Sequence, residues 1–306
     1  MGKGSVKMDL SIVITSFNTE NLLKECIESI VKHTKGIKYE VIVVDNASSD
    51  GSVAAAKRLK VKVIESKENL GFTKGNNLGI EAAKGKYILL LNSDTLISDN
   101  TLGEIISYMN ANPRVGVATC ALKNKDGSLQ GTGGYFPTLI RVFSWMTIGD
   151  IPFVDLIIKP FHPMHEKSLF KGDGFYKKEK DLDWVTGAFL LGRREVFEQN
   201  KGLDEDYFMY GEDVDFCFKA KKRGWKVKYL PQFSITHYGG ASSTREFPLL
   251  SEYKGIKIFY KKHYPSWQYP ILRILLKIGS LGRMVVLGLL EGGESAKIYA
   301  KAFGQA

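Results

Sequence analysis

Residues 10–18 read LSIVITSFN and residues 40–46 read EVIVVDN, and these two stretches decide the fold. Each begins with a short apolar run, which is typical of a strand buried on both faces, and each ends in polar residues. Between them, apolar residues recur at helical spacing over residues 22–31. This order predicts two parallel strands joined by a helix that packs on the sheet.

The same alternation continues to residue 121. Further strands are predicted at 61–64, 87–91 and 115–121, and helices at 52–59, 75–83 and 101–110. We therefore expect an α/β fold with a Rossmann-like, mostly parallel central sheet flanked by helices. Ligands of such sheets bind beyond the carboxyl ends of the strands. Polar residues follow three of these ends, at 15–18, 45–51 and 92–94, so we expect them to form one site.

The pattern loosens over residues 123–181, where we expect a long loop region with short strands. Regular structure returns at 184–191, with a helix over 213–223 and a strand over 226–230 that Pro231 ends. We divide the chain into a domain at 1–245, with two halves at 1–122 and 123–245, and a C-terminal helical extension at 246–306.

The composition is that of an ordinary globular protein and excludes disordered and fibrous classes: 306 residues, 44% hydrophobic and 25% charged. Cys26, Cys120 and Cys217 lie far apart without metal-ligand spacing, so we expect reduced core cysteines. The apolar run near the N-terminus is too short for the core of a signal peptide. We therefore expect a cytoplasmic protein.

The C-terminal extension is basic and amphipathic. Residues 246–306 contain nine Lys or Arg and four Glu, so half of the net charge of +10 lies in the last fifth of the chain. In a helix over 270–290, one arc of about 120° contains Arg273, Lys277, Ser280 and Arg283, while Ile and Leu fill most of the rest.

This pattern predicts a helix that lies on an anionic membrane surface, which would place the protein at the inner face of the cell membrane as a peripheral protein. A spanning helix is disfavoured, because a central Lys or Arg costs roughly 2.5–3.5 kcal/mol on insertion. Packing against the protein or a partner, including an oligomer, is the alternative.

Several polar stretches carry candidate chemistry. Asp45 ends a buried strand, where a carboxylate can accept hydrogen bonds from a nucleotide base or a ribose hydroxyl, whereas Asp50 fits simple helix capping. Residues 69–79, NLGFTKGNNLG, precede a predicted helix and are typical of loops that bring backbone N–H groups close to phosphate. Lys74 adds a positive charge to this loop.

Two further stretches indicate a cation and a general base. A strand-end carboxylate such as Asp94 can hold a hard cation that also binds phosphate oxygens, and His237, after the last predicted strand, can share that cation. Residues 204–215, DEDYFMYGEDVD, combine carboxylates with aromatic residues. Desolvation beside apolar surface raises the pKa of a carboxylate, which makes it a candidate general base.

Taken in order, seven stretches resemble the inverting family 2 glycosyltransferases of GT-A fold, and among them the bacterial rhamnosyltransferase-like branch. The resemblance spans residues 10–243. It rests on 15–18 (TSFN), 43–51 (VVDNASSDG), 69–79, 91–94 (LNSD), 184–189 (WVTGAF), 208–215 (FMYGEDVD) and 237–240 (HYGG).

The resemblance assigns a donor-binding role to several of these residues. It implies that the nucleotide base and ribose are held by Thr15, Phe17, Asn18 and Asp45, and that the rest of the donor lies near Lys74, Asn76, Asn92, Ser93 and Asp94. Asp94 matches the last acidic position of the D-x-D motif, which coordinates Mn²⁺ or Mg²⁺ on the diphosphate. Asn92 stands where many members have the first Asp, so His237, at a family metal-ligand position, gains importance.

The resemblance also implies the reaction. Asp213 matches the catalytic base, which takes a proton from an acceptor hydroxyl while its oxygen attacks the anomeric carbon with inversion. Glu212 would orient the acceptor or the base, and Trp184 and Gly187 would line the acceptor or sugar pocket. The motifs favour dTDP-rhamnose as donor, with a UDP-hexose next. The basic tail points to a glycan or lipid-linked acceptor in cell-surface polysaccharide synthesis.

Two other functions are compatible with parts of the sequence. A sugar nucleotidyltransferase has a related sheet, but it would carry a basic, glycine-rich loop after the first strand, and residues 15–18 contain no Gly, Lys or Arg. A non-catalytic module that binds membranes or polyanions fits the basic tail. The carboxylate-rich strand ends would repel a polyanion, however, and no nucleic-acid-binding motif is present, so we expect no nucleic acid partner.

Overall fold

The computed structural model of the chain describes residues 8–149, 151, 154–162, 172–239 and 246–306. The strands are β1 (Leu10–Ser16), β2 (Tyr39–Asp45), β3 (Lys62–Glu65), β4 (Tyr87–Leu91), β5 (Thr95–Leu96), β6 (Val115–Lys123), β7 (Gly133–Gly134), β8 (Lys180–Asp181), β9 (Trp184–Val185), β10 (Phe189–Arg193) and β11 (Lys226–His237).

The helices flank this sheet or follow it in sequence. They are α1 (Glu20–His33), α2 (Ser52–Arg58), α3 (Gly71–Ala82), α4 (Thr101–Ala111), α5 (Leu139–Met146), α6 (Val154–Ile157), α7 (Arg194–Asn200), α8 (Glu212–Lys222), α9 (Glu246–His263), α10 (Gln268–Glu291) and α11 (Gly293–Gln305), with a 3₁₀ helix at Gly172–Lys177.

The central sheet has the strand order β3-β2-β1-β4-β10-β6-β11-β5, and β8 pairs with β11. The strands from β3 to β4 are parallel, as predicted, and β11 is parallel to β6. β10 lies between β4 and β6 and is antiparallel to both, which makes the sheet mixed. The predicted α/β fold with a helix-flanked central sheet is confirmed. The apolar sequence of β10 does not indicate whether the strand runs parallel or antiparallel to its neighbours.

Each face of the sheet packs against its own set of helices. Leu10, Ile12 and Ile14 of β1 share a core with residues of α1 and α4, whereas Val13 faces the opposite core. That second core also contains residues of α5, α8, α9 and α10. The predicted boundary at residue 245 stays a prediction, but the helices beyond it pack in the same core as the sheet. The three cysteines are free and buried, as expected.

Two sequence-based expectations about the elements are wrong. The strand predicted at 226–230 continues through Pro231 to His237, because a register shift between Leu230 and Ser234 places the proline in a bulge where no ladder hydrogen bond is lost. The region predicted as loops and short strands contains helix α5, whose Trp145 and Met146 are buried. A side chain at Gly279 of α10 would collide with Met146, so this glycine permits the close packing of the two helices.

The predicted tail helix is present as α10, and its polar arc contacts the protein. Ser280 is buried and its hydroxyl lies 2.8 Å from that of Tyr253, while Arg283 donates to the carbonyl of Trp145 and Arg273 to that of Ala306. The exposed side is apolar: Trp267, Ile271, Ile274, Ile278, Leu281, Val285, Val286, Leu289 and Leu290. Across the described ranges, no helix combines the length and apolarity needed to cross a membrane.

Candidate active site

Polar groups without partners collect where β1 and β2 end. The strand register places Ser16 beside Asp45, whose side chain is only 2% exposed. Asp45 Oδ2 accepts a hydrogen bond from the backbone N–H of Ser48 at 2.9 Å, and Asp45 Oδ1 has no partner. Thr15 Oγ1, Asn46 Oδ1 and Thr73 Oγ1 are likewise buried without a partner. Because such atoms are costly to leave unpaired, this edge is suited to receive the polar groups of a ligand.

Asn18 organises the loop that follows β2. It adopts a left-handed backbone with φ of 53°, and its Oδ1 accepts a hydrogen bond from the backbone N–H of Ser49 at 2.8 Å. Its own N–H donates to Ser48 Oγ at 2.9 Å. The amide group of Asn18 therefore positions the loop around Asp45. Phe17 is 38% exposed and offers a ring face for stacking.

The glycine- and asparagine-rich stretch 69–79 is mostly helix, because α3 begins at Gly71. The backbone N–H groups of Phe72 and Thr73 both point to the carbonyl of Phe208, at 3.0 and 3.4 Å. The expected phosphate-binding loop is therefore wrong: the first N–H groups of the helix already have a protein partner. A Cβ at Gly75 would lie 2.8 Å from Thr15 Cγ2, so this glycine serves close packing of α3 on β1.

The two donor candidates on α3 differ in exposure. Lys74 is exposed and its ammonium group can reach solvent or a ligand. Asn76 is buried, and its Nδ2 donates to the carbonyl of Phe72 at 2.8 Å. Asn76 thus reinforces the first turn of the helix.

The structure brings the two predicted metal ligands together. β5 pairs with β11, with Thr95 opposite His237, so the preceding Asp94 lies beside the imidazole. His237 Nε2 is 3.3 Å from Asp94 Oδ1 and 3.2 Å from Asn92 Nδ2, and His237 Nδ1 is 2.7 Å from Gln130 Oε1. Because Gln130 Oε1 only accepts, Nδ1 carries a proton and Nε2 is directed toward Asp94. Gln130 is a positioning residue that the sequence analysis missed.

This pair fits a divalent cation that also binds phosphate. Among the residues that the structure describes, no group of three or more His, Cys, Asp and Glu side chains could hold a metal ion. Mg²⁺ and similar ions bind through one or two protein ligands when substrate phosphates supply the rest. The oriented Nε2 of His237 and the carboxylate of Asp94 meet that requirement. The hydroxyl of Ser93 accepts from Thr19 Oγ1 at 3.1 Å and helps to fix the turn.

Asp213 lies near the start of α8, where two backbone groups hold its carboxylate. The N–H of Gly187 donates to Asp213 Oδ2 at 3.1 Å, and the N–H of Val214 donates to Oδ1 at 2.8 Å. Burial raises the pKa of Asp213 to about 6, although these N–H groups and the charge of His162 act in the opposite direction. A carboxylate with this pKa is largely ionised at neutral pH and accepts a proton readily.

Glu212 is the neighbour of Asp213 and is almost fully buried. Burial, together with the charge of Asp213, raises its pKa well above the usual range, and its Oε2 has no partner. Burial and the neighbouring charge thus both favour the neutral form of Glu212, whereas two backbone N–H groups favour the ionised form of Asp213. This difference makes Asp213 the candidate base of the pair.

Residues 187–188 connect the turn that contains Asp94 with the carboxylate of Asp213. The backbone N–H of Asn92 donates to the carbonyl of Ala188 at 3.1 Å, and the preceding Gly187 binds Asp213. A side chain at Gly187 would lie 2.9 Å from Phe72 Cζ, which explains the glycine. The backbone contacts of Gly187 and Ala188 therefore make this connection.

Asp213 and Trp184 line a cavity of about 310 Å³. Its wall also includes His162 and, from α9, Glu252 and Ile256. The sequence analysis assigned none of these last three to the site. No local pattern marks these three residues, because they lie far from Asp213 in sequence. The packing of α9 brings Glu252 and Ile256 near Asp213, and His162 comes from the segment after α6.

Asp215, in the same motif, has a structural role. It is fully buried, with its Oδ1 2.6 Å from His263 Nε2 and its Oδ2 2.6 Å from Lys219 Nζ. The contact with His263 attaches α8 to α9, and the contact with Lys219 lies within α8. The carboxylates of the motif therefore divide between chemistry and structure.

Comparisons with known proteins identify the family of this chain. The profile of Glycosyl transferase family 2 matches residues 11–200. N-acetylglucosaminyl-diphospho-decaprenol L-rhamnosyltransferase of Mycobacterium tuberculosis is 27% identical over 257 residues, which cover 79% of this chain and 80% of the relative. Rhamnosyltransferase WbbL of Escherichia coli is 26% identical, over 74% of this chain and 82% of the relative.

Solved structures show the same fold. The mannosyltransferase PcManGT from Pyrobaculum calidifontis, in complex with GDP-Man and Mn²⁺, superposes with a TM-score of 0.56 at 16% identity, over 98% of this chain and 81% of that chain. GalNAc-T7 with UDP, GalNAc and Mn²⁺ has a TM-score of 0.58 at 16% identity, over 89% and 55%. With the profile match over more than half of its length and this shared GT-A fold, the chain belongs to glycosyltransferase family 2.

Proposed function

We propose that the protein is an inverting glycosyltransferase that moves rhamnose from dTDP-rhamnose to a lipid-linked glycan, with a UDP-hexose as the second donor candidate. The observation that carries the proposal is Asp213, a carboxylate held by two backbone N–H groups against a cavity, with its pKa raised to about 6. The two rhamnosyltransferase relatives support the choice of sugar.

Asp213 drives the reaction by taking up a proton. An acceptor hydroxyl in the cavity transfers its proton to Asp213 as its oxygen forms a bond to the anomeric carbon. The bond from that carbon to the nucleoside diphosphate breaks on the opposite face, and the configuration inverts. Glu212, whose pKa is raised by burial, would orient the acceptor hydroxyl or Asp213. A divalent cation held by Asp94 and His237 would neutralise charge on the departing diphosphate.

The donor nucleotide would occupy the edge formed by β1 and β2. Asp45 Oδ1 and Thr15 Oγ1 would pair with the base or ribose, and the base would stack on Phe17. Lys74 would lie near the diphosphate. Asn18 and Asn76 would support this site through the backbone contacts described above, without direct contact with the donor.

We also propose that the acceptor is presented at an anionic membrane surface. The relative from Mycobacterium tuberculosis is named for a diphospho-decaprenol substrate. The exposed side of α10 from Trp267 to Leu290 is apolar, and the extension carries half of the net positive charge. Apolar surface and basic charge together favour binding to anionic lipid. The protein would then act at the inner face of the cell membrane.

The first experiment is thermal unfolding of the purified protein with UDP, dTDP, GDP or CMP, each with and without Mn²⁺. A nucleotide at 100 times its Kd should stabilise the fold by about 2.7 kcal/mol. We expect the largest rise in unfolding temperature with dTDP and Mn²⁺. In a second assay, we expect transfer of rhamnose from dTDP-rhamnose to N-acetylglucosaminyl diphosphate that carries a short lipid chain. Absence of a shift with all four nucleotides would contradict the proposed donor site.

A further inference from the structure

The cavity beside Asp213 is closed by a helix from the C-terminal extension. Glu252 and Ile256 of α9 line it together with Trp184, Phe161 and His162. The extension therefore forms a wall of the cavity that holds the general base. A volume of about 310 Å³ lies at the lower end of small-molecule pockets and fits one sugar residue better than an extended glycan.

One wall of the cavity is aromatic. The ring centroids of Phe161 and Trp184 are 5.7 Å apart, those of His162 and Trp184 5.3 Å, and those of Phe161 and His162 4.1 Å. Trp184 is 7% exposed, and its Nε1 is buried without a hydrogen-bond partner. A buried indole N–H normally finds a partner, so this one is available to a ligand.

The cavity also contains a pair formed by an imidazole and a carboxylate. His162 Nε2 contacts Glu252 Oε1, and this contact joins the segment after α6 to α9. This pair lies between aromatic rings and close enough to Asp213 for the charge of His162 to favour the ionised base. A purely apolar ligand such as an isoprenoid chain would bury this pair without replacing its contacts with water, at a cost in free energy.

We propose that His162 and Glu252 recognise the acceptor sugar, so that α9 supplies part of the acceptor subsite. A pyranose ring has an apolar face that suits the rings of Trp184 and Phe161, and hydroxyl groups that suit the imidazole and the carboxylate of the pair. The indole N–H of Trp184 donates to one sugar oxygen, and the carboxylate of Glu252 accepts from a hydroxyl. These contacts direct another hydroxyl to Asp213. This inference rests on the proposed function, because it requires Asp213 to be the base.

The test compares Glu252→Gln with Lys254→Gln, an exposed position on the same helix that does not line the cavity. The acceptor is N-acetylglucosaminyl diphosphate with a short lipid chain, and the donor is dTDP-rhamnose. We expect Glu252→Gln to raise the acceptor KM at least about tenfold, as for loss of a hydrogen bond to a charged group, with the donor KM within about twofold of wild type. Lys254→Gln should match wild type in both constants.

Two controls keep the inference falsifiable. The stabilisation by dTDP shows whether Glu252→Gln is folded. Should it not fold, Trp184→Phe keeps an aromatic ring but removes the five-membered ring with its N–H, and it should raise the acceptor KM in the same selective way. An unchanged acceptor KM in the folded variant, or no wild-type transfer to this acceptor, would overturn the inference. If Asp213→Asn is inactive while Glu252→Gln leaves the acceptor KM unchanged, only the proposed acceptor subsite is contradicted. If Asp213→Asn is fully active, the proposed function fails.

Discussion

Replacement of Asp213 by Asn removes the proton acceptor with little change in shape. General-base catalysis contributes about 10²–10⁴ in rate, so turnover should fall by that factor, which corresponds to about 3–5 kcal/mol in the barrier. Donor binding should be retained, because the nucleotide edge at β1 and β2 is built from other residues. The variant therefore separates catalysis from binding.

The structure also predicts the effect of this replacement on stability. The pKa of Asp213 rises from 3.8 to about 6 on folding, so its ionised form costs the native state about 3 kcal/mol at pH 7.5, a cost that disappears as the pH falls below 4. Asn removes this cost. Its NH₂ group would face the N–H of either Gly187 or Val214, however, and leaving that donor unpaired costs about 1–3 kcal/mol. The free energy of unfolding should therefore change by less than about 2 kcal/mol.

The assay measures initial rates of sugar transfer at pH 7.5, together with urea unfolding and stabilisation by dTDP. Asp206→Asn is the matched control, because this exposed carboxylate lies in the same loop and its ion pair with Lys262 is a surface one. It should keep wild-type turnover. Turnover of Asp213→Asn within a factor of three of wild type would refute the assignment of the base.

Four other predictions follow from the same structure. In a pH series, kcat/KM should fall about tenfold per unit below pH 6, where Asp213 becomes protonated; a flat profile down to pH 5 would contradict its role. His237→Ala should raise the Mn²⁺ concentration for half-maximal activity at least about tenfold, and an unchanged metal titration would remove it from the cation site. Ile278→Glu should weaken binding to phosphatidylglycerol vesicles at least about tenfold, whereas Val31→Glu, with similar exposure on α1, should not; equal binding by both would argue against the α10 surface. Asp215→Asn should cost about 3–5 kcal/mol in urea unfolding, because it removes a fully buried carboxylate that pairs with Lys219 and contacts the imidazole of His263; a loss below 1 kcal/mol would show that this carboxylate does not secure the packing of α8 on α9.

The helices after residue 245 constrain how the chain is studied. Leu272 and Leu276 of α10 are fully buried, and Tyr253 of α9 contacts Ser280. A deletion from residue 270 onward would remove these buried side chains together with the exposed apolar side of α10, so it would disturb the core as well as that surface. Single substitutions on the exposed side of α10 separate the two effects.

The strand ends were predictable from sequence because the rule behind them is local. A buried apolar run followed by polar residues places Thr15, Asp45 and Asp94 at one edge of a parallel sheet, whatever the rest of the chain does. The mixture of carboxylates and aromatic residues in 204–215 indicated a general base without choosing among its carboxylates, and the resemblance to family 2 glycosyltransferases singled out Asp213. That assignment stays a prediction, whereas the strand ends themselves lie where local periodicity placed them.

The tertiary structure decided which groups those residues face. The arc of Arg273, Ser280 and Arg283 was visible in the helical period, but only packing against Tyr253 and Trp145 turned it toward the protein and left the apolar side exposed. The carbonyl of Phe208 satisfies the first N–H groups of α3 from more than 130 positions away, which converts an expected phosphate loop into a capped helix. The period of a helix fixes the relative positions of its side chains, whereas the direction in which they point depends on neighbours that are distant in sequence.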